Sequence, residues 1–378
     1  MQSEYLIVTQ CFYPDIGGIE GLMTELADRC ASAGHKVTVL ADRIRLKSAV
    51  PAPAKPYPII RFGGPRPWRR WRKRLCAAGI LKERGASIAG IFADSWKSME
   101  ALPPAIGKPV SVLAHGTEYP VAPSPAKRRR ISAALSRCKA VIANSRYTGS
   151  LVLPYLDGQA QKLQIVLPPC PPLTEPVADA MAAMKNRIAG RHPVIATVAR
   201  LEPRKGVDSV IRAMPALLGR HPACLYVVAG GGEDRPRLEE LARQLGVQRS
   251  VLFLGPLTWR ERAEKSALLA QADLFAMPSR REGRSVEGFG LSYLEAGWFG
   301  VPSLAGNDGG AADAVLDNET GLLCDGASQS EVTRSLLLLL DNAELRKSLG
   351  AAARERVRRD LSWPVAIESY LASFNRAA

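Results

Sequence analysis

Short apolar runs alternate along the chain with longer stretches of helical period. Tyr5–Thr9 is the first run, and a loop with one proline and a Gly pair, Phe12–Gly18, follows it. Ile19–Ala33 then carries Leu22, Leu26 and Cys30 at spacing four, Gly34 supplies a stop, and Lys36–Leu40 is apolar again. A buried run, a one-faced helix and a second buried run predict a β-α-β unit, hence a parallel sheet with helices on its faces. Val110–Ala114, ending at His115-Gly116, and Ala140–Ala143, ending at Asn144-Ser145, continue the pattern. The proline-rich Leu167–Pro172 (LPPCPP) reads as a stiff linker. Beyond it the pattern restarts. Strands are expected at Val194–Ala199, Leu225–Ala229, Val251–Leu254, Leu274–Met277 and Pro302–Ala305, with a helix over Gly206–Leu218. The fold class is therefore α/β, with two doubly wound halves joined near residue 172.

A length of 378 residues suits two domains, and 47% apolar with 23% charged residues is globular composition. No apolar run approaches the roughly 20 residues that span a bilayer. The longest leucine run, Leu336–Leu340, reads as part of a buried helix. The opening MQSEYLIVTQ lacks a basic region and a long apolar core, so no signal peptide is expected. Seven cysteines, all widely spaced, read as buried thiols of a reducing compartment.

Charge adds a direction. The net charge is +15, and residues 1–175 hold 25 of the 51 Lys and Arg but only 12 of the 36 Asp and Glu. The first half should meet something anionic: nucleic acid, a membrane surface or a phosphorylated substrate.

The sharpest chemistry lies in the second half. Arg200 and Lys205 follow one strand, Gly230–Gly232 follow the next, and Glu287-Gly-Phe-Gly-Leu-Ser-Tyr-Leu-Glu295 comes after them in order. Two cations in a loop before a helix make a natural diphosphate site, since amides at the helix start add a positive dipole. Gly288 and Gly290 let the backbone approach a ligand closely. With a helix starting near Gly290, Glu287 precedes it and Glu295 lies a turn inside, so the two can meet different parts of one extended ligand.

The segments FYPDIGGIE, LAHGTE, NSRYTG, RLEPRKG, VAGGG, VLFLG, EGFGLSYLEA, GVPSLAG, GGAADAV and NETGLL occur in that order and cover essentially the whole chain. In this the sequence resembles the retaining nucleotide-sugar glycosyltransferases of family four, whose fold is GT-B: two Rossmann-like doubly wound domains facing a central cleft. The resemblance implies an acceptor-binding domain over 1–172, joined by a returning C-terminal helix over 362–378, and a nucleotide-sugar-binding domain over 173–361. It implies a catalytic set of His115, Arg200, Lys205 and Glu287. Arg200 and Lys205 would bind the donor diphosphate, and Glu287 would face the sugar hydroxyls. Phe289, Gly290 and Leu291 would offer backbone contacts, and Glu295 would hold the ribose. Gly17 and Gly18 would form a tight loop beside the diphosphate, His115 would sit near the sugar, and the segment at Gly255 would hold the base. No cofactor and no metal are expected, and the chain contains no Asp-x-Asp pair.

Two departures from the family pattern stand out. Leu167–Pro172 replaces a common Pro-Asn-Gly loop. Ser279–Val286 (SRREGRSV) is long and basic, and resembles the subgroup that includes GDP-mannose-dependent phosphatidylinositol mannoside mannosyltransferases. That favours GDP-mannose as donor, with UDP-sugars as alternatives.

A second segment, Pro65–Leu75 (PRPWRRWRKRL), is basic with two tryptophans. On a helix, Trp68, Trp71 and Leu75 share one face. Trp68, Arg69, Arg70, Trp71, Arg72, Lys73 and Arg74 are therefore candidates for contact with an anionic bilayer, with the basic run Lys127–Arg130 in the same half. The partners expected are a nucleotide sugar, a glycan or lipid-linked acceptor and an anionic membrane surface. The place expected is cytoplasmic, peripheral on the inner face of the membrane. The rivals are weaker. An epimerase or hydrolase on the same fold would need further carboxylates in the first half beyond Glu20 and Glu118. A nucleic-acid-binding protein would not explain a second half whose charge nearly balances. A non-catalytic member would not retain every site residue.

Overall fold

The computed structural model describes residues 3–15, 17–44, 53–256 and 262–375. Ile16 of the Phe12–Gly18 loop and residues 376–378 of the returning segment lie outside the described residues. The chain divides into two compact units, Met1–Pro168 with Trp363–Ala378, and Pro169–Ser362.

In the first unit the strands are β1 (Glu4–Val8), β2 (Lys36–Asp42), β3 (Ile59–Phe62), β4 (Ile88–Ala93), β5 (Val110–Ala114), β6 (Ala140–Ala143) and β7 (Leu163–Ile165). They form a seven-stranded sheet in the order β3-β2-β1-β4-β5-β6-β7, with every pairing parallel. Glu4 lies opposite Lys36, and Val8 opposite Leu40. Strand side chains alternate between faces, so a sheet covered on both sides needs apolar residues throughout. Leu6, Val8, Ile91, Ala93, Val110 and Val112 fill one face, with Ala77 and Ile80 of the helix Arg66–Arg84 over them. Tyr5, Ile7, Phe92 and Leu113 fill the other, under Leu22, Leu26 and Cys30 of the helix Gly18–Ser32. The C-terminal helix Trp363–Ala372 closes this second face with Trp363 and Tyr370, and Phe374 follows it into the same core. Ser373 shares a buried hydrogen bond with Ser111 of β5, 2.5 Å long.

The second unit contains β8 (Val194–Val198), β9 (Leu225–Ala229), β10 (Val251–Gly255), β11 (Leu274–Met277), β12 (Ser303–Gly306) and β13 (Gly321–Cys324), in the order β10-β9-β8-β11-β12-β13. These pairings are parallel too. The helix Val207–Arg220 buries Val207, Val210, Ile211, Met214 and Leu217 on one stripe, and Gln329–Asp341 packs beside it through Leu336, Leu339 and Leu340. Strand order reverses between β1 and β4 in one sheet and between β8 and β11 in the other. Crevices for ligands form outside the carboxyl ends of strands at such points.

Strands β3, β4, β7 and β13 were not among the elements the apolar pattern predicts. The predicted helix over Pro65–Leu75 is the start of one that continues to Arg84. Six of the seven cysteines are buried, Cys76 is partly so, and all are free thiols. No described helix is long and apolar enough to cross a membrane.

A Cβ on Gly90 of β4 would sit 2.6 Å from the Phe374 ring. Gly90→Val should therefore undock the C-terminal helix and cost about 1–3 kcal/mol, read as a lower urea midpoint. An unchanged midpoint would contradict this docking.

Candidate functional site

The residues singled out in the second unit gather at the β8/β11 switch point. β8 ends at Val198, and the loop that follows carries Arg200, Arg204 and Lys205 before Gly206 opens the helix Val207–Arg220. Gly206 has φ +71 and lies against the carbonyl of Pro278, where a Cβ would come within 2.1 Å. This pins the loop to the end of β11. The glycines after β9 hold it from the other side. A Cβ on Gly230 would lie 1.8 Å from the Ala199 carbonyl, and one on Gly232 would lie 2.2 Å from that of Leu201. Leu201 N–H donates to Gly231 O, and Gly230 N–H to Gly255 O. Gly230–Gly232 and Gly255 thus allow three strand ends to lie backbone to backbone.

The side chains of this loop form a connected charge cluster. Arg200 is 75% exposed, with Nη1 2.9 Å from Glu202 Oε1. Arg204 is nearly enclosed and bridges two carboxylates: Nε is 2.9 Å from Glu202 Oε2, and Nη1 is 2.9 Å from Glu287 Oε2. Lys205 Nζ also donates to Glu287 Oε2. Glu287 is buried, which by itself raises its pKa. The charges of Lys205 and Arg204, and their hydrogen bonds, outweigh that and hold the carboxyl below its usual range. The loop before Glu287 is tied in as well. Arg280 N–H donates to Arg204 O at 2.9 Å, and its guanidinium grips both oxygens of Asp208 at 3.0 Å.

Phe289 is buried, and Gly290 starts the helix Leu291–Trp298 at φ +95 with the Tyr293 ring against it. No side chain caps this helix; Tyr293 N–H turns back to Gly290 O at 3.1 Å, which leaves the amides of Leu291 and Ser292 to face an anion. Leu291 stands half-buried at its start. Glu295, one turn on, is buried and paired with Lys265 at 2.5 Å. The structure therefore joins Lys205 to Glu287, links Arg200 to them through Glu202 and Arg204, and sets Phe289, Gly290, Leu291 and Glu295 in the segment that follows Glu287. The pattern Arg200-x4-Lys205 passed over Arg204, although it stands inside RLEPRKG. Lys265 lies in an amphipathic helix with no local signal of its partner.

Gly17, Gly18 and His115 belong to the first unit. Gly17 is extended, yet a Cβ there would lie 2.1 Å from Glu20 Oε2. Gly18 begins the uncapped helix Gly18–Ser32. His115 follows β5. Its backbone N–H donates to Glu118 Oε1 at 2.7 Å, and its Nε2 lies 2.9 Å from the Asp94 carbonyl. A carbonyl only accepts, so Nε2 carries a proton. Asp94 also accepts from Thr9 Oγ1 and Gln10 N–H, which ties the β1 and β4 loops together. The sequence reading missed Asp94.

The basic helix needs one correction. Trp68 and Trp71 are 65% and 52% exposed and meet edge to face, and Leu75 and Arg72 are exposed beside them. Lys73 is only 3% exposed: its ammonium donates to Asp42 and to the Thr9 carbonyl, both at 2.7 Å. It faces the core edge and cannot meet a surface. Arg69 pairs with Asp42, Arg70 pairs with Glu100, and Arg74 donates to the Glu100 carbonyl.

Residues 16–170 match the family model "Glycosyltransferase Family 4", and residues 179–356 match "Glycosyl transferases group 1". The chain is 32% identical, over 99% of its length and 98% of the relative's, to a GDP-mannose-dependent alpha-(1-6)-phosphatidylinositol monomannoside mannosyltransferase of Mycobacterium tuberculosis. It is 29% identical to a D-inositol 3-phosphate glycosyltransferase of Salinispora tropica, over 96% of this chain and 82% of that one. Among solved structures, a glycosyltransferase from Rickettsia africae superposes with a TM-score of 0.79 at 15% identity, covering all of both chains. Anabaena HepE in complex with UDP superposes with a TM-score of 0.75 at 17% identity, covering 99% of this chain and all of that one. At these identities the structures speak for the fold, which is GT-B.

Glu287→Gln should destabilise the second unit by roughly 3 kcal/mol near neutral pH, because two cations lose their buried partner. The folded carboxyl is depressed, so its contribution is present above about pH 4 and fades as pH falls through the folded value. Urea unfolding should show wild type and variant converging on acidification. A gap that stays constant down to about pH 3 would contradict the pairing.

Proposed function

This chain belongs to the group 1, family-four glycosyltransferases, and from that premise we propose that it moves mannose from GDP-mannose, with retention, onto a lipid-linked glycan or glycolipid. The observation that carries the proposal is the cluster of Arg200, Arg204 and Lys205 beside an uncapped helix start at the β8/β11 switch point. The choice of GDP-mannose is supported by the full-length mannosyltransferase relative and by the long basic Ser279–Val286 loop.

The second unit takes the donor and the first takes the acceptor. Arg200 and Lys205 meet the diphosphate, and the amides at Gly290 and Leu291 face the same anion. Glu287 orients sugar hydroxyls, Glu295 meets the ribose and the Gly255 segment meets the base. In the first unit, Gly17 and Gly18 present helix-start amides to an anionic substrate group, and His115 offers Nδ1 to a substrate hydroxyl. In the transfer, the bond from sugar C1 to the β-phosphate oxygen breaks. The acceptor hydroxyl oxygen bonds to C1 from the same face, and its proton passes to the departing phosphate. Negative charge grows on that phosphate, where fixed cations and amides lower the barrier; losing one such donor typically costs roughly 10²–10³ in rate. These groups serve in place of a divalent metal. Trp68, Trp71, Leu75 and Arg72 seat the first unit on anionic lipid at the inner face of the membrane.

GDP and GDP-mannose should raise the melting temperature equally with and without EDTA. A shift with UDP species alone would overturn the donor choice, and loss of transfer in EDTA would overturn metal independence. Trp68→Ala/Trp71→Ala/Arg72→Ala should leave the protein in the supernatant when it is spun with anionic liposomes. Undiminished pelleting would remove the membrane role.

A further inference from the structure

Lys205 and Arg204 share a single oxygen of Glu287, although the two cations are built differently. Lys205 ends a flexible stem as a point charge. Arg204 is clamped along its length. Its Nε is on Glu202, its Nη1 is on Glu287, and its carbonyl accepts from Arg280 N–H. Arg280 is itself held by Asp208 and by Ser209 Oγ. A forked guanidinium serves two carboxylates at once, whereas an ammonium readily changes partner.

A diphosphate drawn to Lys205 therefore competes with Glu287 for the same ammonium. A buried carboxylate stripped of its cation is heavily penalised, and the cost would oppose donor binding. We propose that Arg204 is a positioning residue for the donor: it keeps hold of the Glu287 carboxylate while Lys205 turns to the diphosphate. The proposal rests on the donor-site reading above. Among the described residues, the charged and titratable groups about Glu287 are Lys205 and Arg204 from the loop after β8, and Tyr293 from the helix Leu291–Trp298, whose hydroxyl donates to Met277 O. Glu202 reaches it through Arg204, and the Glu287 carbonyl accepts from Gly310 N–H.

Without Arg204, Lys205 is the sole cation for Glu287 among the described residues, and releasing it obliges the carboxylate to take up a proton. Donor binding then becomes linked to proton uptake and weakens as pH rises. Arg204 spares the wild type that linkage.

The test is isothermal titration of the full chain across about pH 6 to 8, with GDP-mannose, UDP-glucose and UDP-N-acetylglucosamine as probes. Sugar nucleotides are preferred to GDP, whose terminal phosphate titrates near about 6. For Arg204→Gln, Kd should rise roughly tenfold or more over this range, within the tenfold per pH unit that one linked proton allows, while wild type stays within about twofold. Arg204→Lys should restore the flat profile. Arg204→Gln/Glu287→Gln, which has no carboxylate to protonate, should be flat as well, and it keeps the question open to test if the single variant folds poorly. A wild type that binds no probe overturns the donor site and this role with it. A wild type that binds, beside an Arg204→Gln variant whose affinity is lower but flat in pH, overturns the role of Arg204 alone.

Discussion

Neighbouring parallel strands whose crossovers leave in opposite directions cannot cover the space beyond their own carboxyl ends. That gap is a product of topology, and each of the two sheets has one, at β1/β4 and at β8/β11. In the second unit the backbone crowds in from four strand ends, those of β8, β9, β11 and β12. Gly206, Gly230, Gly232 and Gly306 sit where any side chain would strike a carbonyl. The crowding fixes the loop that holds Arg200, Arg204 and Lys205. In the first unit the corresponding loops are bound by Asp94, which accepts from Thr9 and Gln10 and whose carbonyl orients His115.

Charge in the first unit is less free than its total suggests. Asp42 takes Arg69 and Lys73, and Glu100 takes Arg70 and Arg130. A few acids thus bind several of the basic residues and fasten the helices Arg66–Arg84 and Pro125–Leu135 to the body of the unit. Over Pro65–Leu75 the exposed set is narrower than the sequence: Trp68, Trp71, Leu75, the cations Arg66 and Arg72, and two prolines. Counting charges along a helix overstates what a partner meets, because spacing says nothing of which positions face another element.

The fold was legible at most buried apolar runs, although β13 (Gly321–Cys324), a short one at the sheet edge, escaped the pattern. Val110–Ala114, Ala140–Ala143, Leu225–Ala229 and Leu274–Met277 coincide with β5, β6, β9 and β11. The pattern failed at β3 and β7, which are short, partly exposed edge strands. It failed at β4 because Gly90 interrupts it, and the reason for that glycine, the Phe374 ring, comes from the far end of the chain. The candidate site was legible where one segment carries it, as in Glu287–Glu295. The pairings Lys265–Glu295 and Arg280–Asp208 depend on elements distant in sequence, and no local pattern encodes them. The need for glycine at Gly230 and Gly232 comes from the carbonyls of Ala199 and Leu201 against them, which the triplet's own sequence does not encode.

The second unit lies, in sequence, between the two pieces of the first. Trp363, Tyr370 and Phe374 are needed to cover Tyr5, Ile7 and Phe92, yet they follow residue 362. On the ribosome, the sheet that is begun earliest is thus the one finished latest. Its aromatic face must wait, uncovered, through the synthesis of the whole intervening unit, whose own core is already complete. For this chain the order of translation and the order of completion run opposite ways, and the exposed interval is set by the length of the second unit.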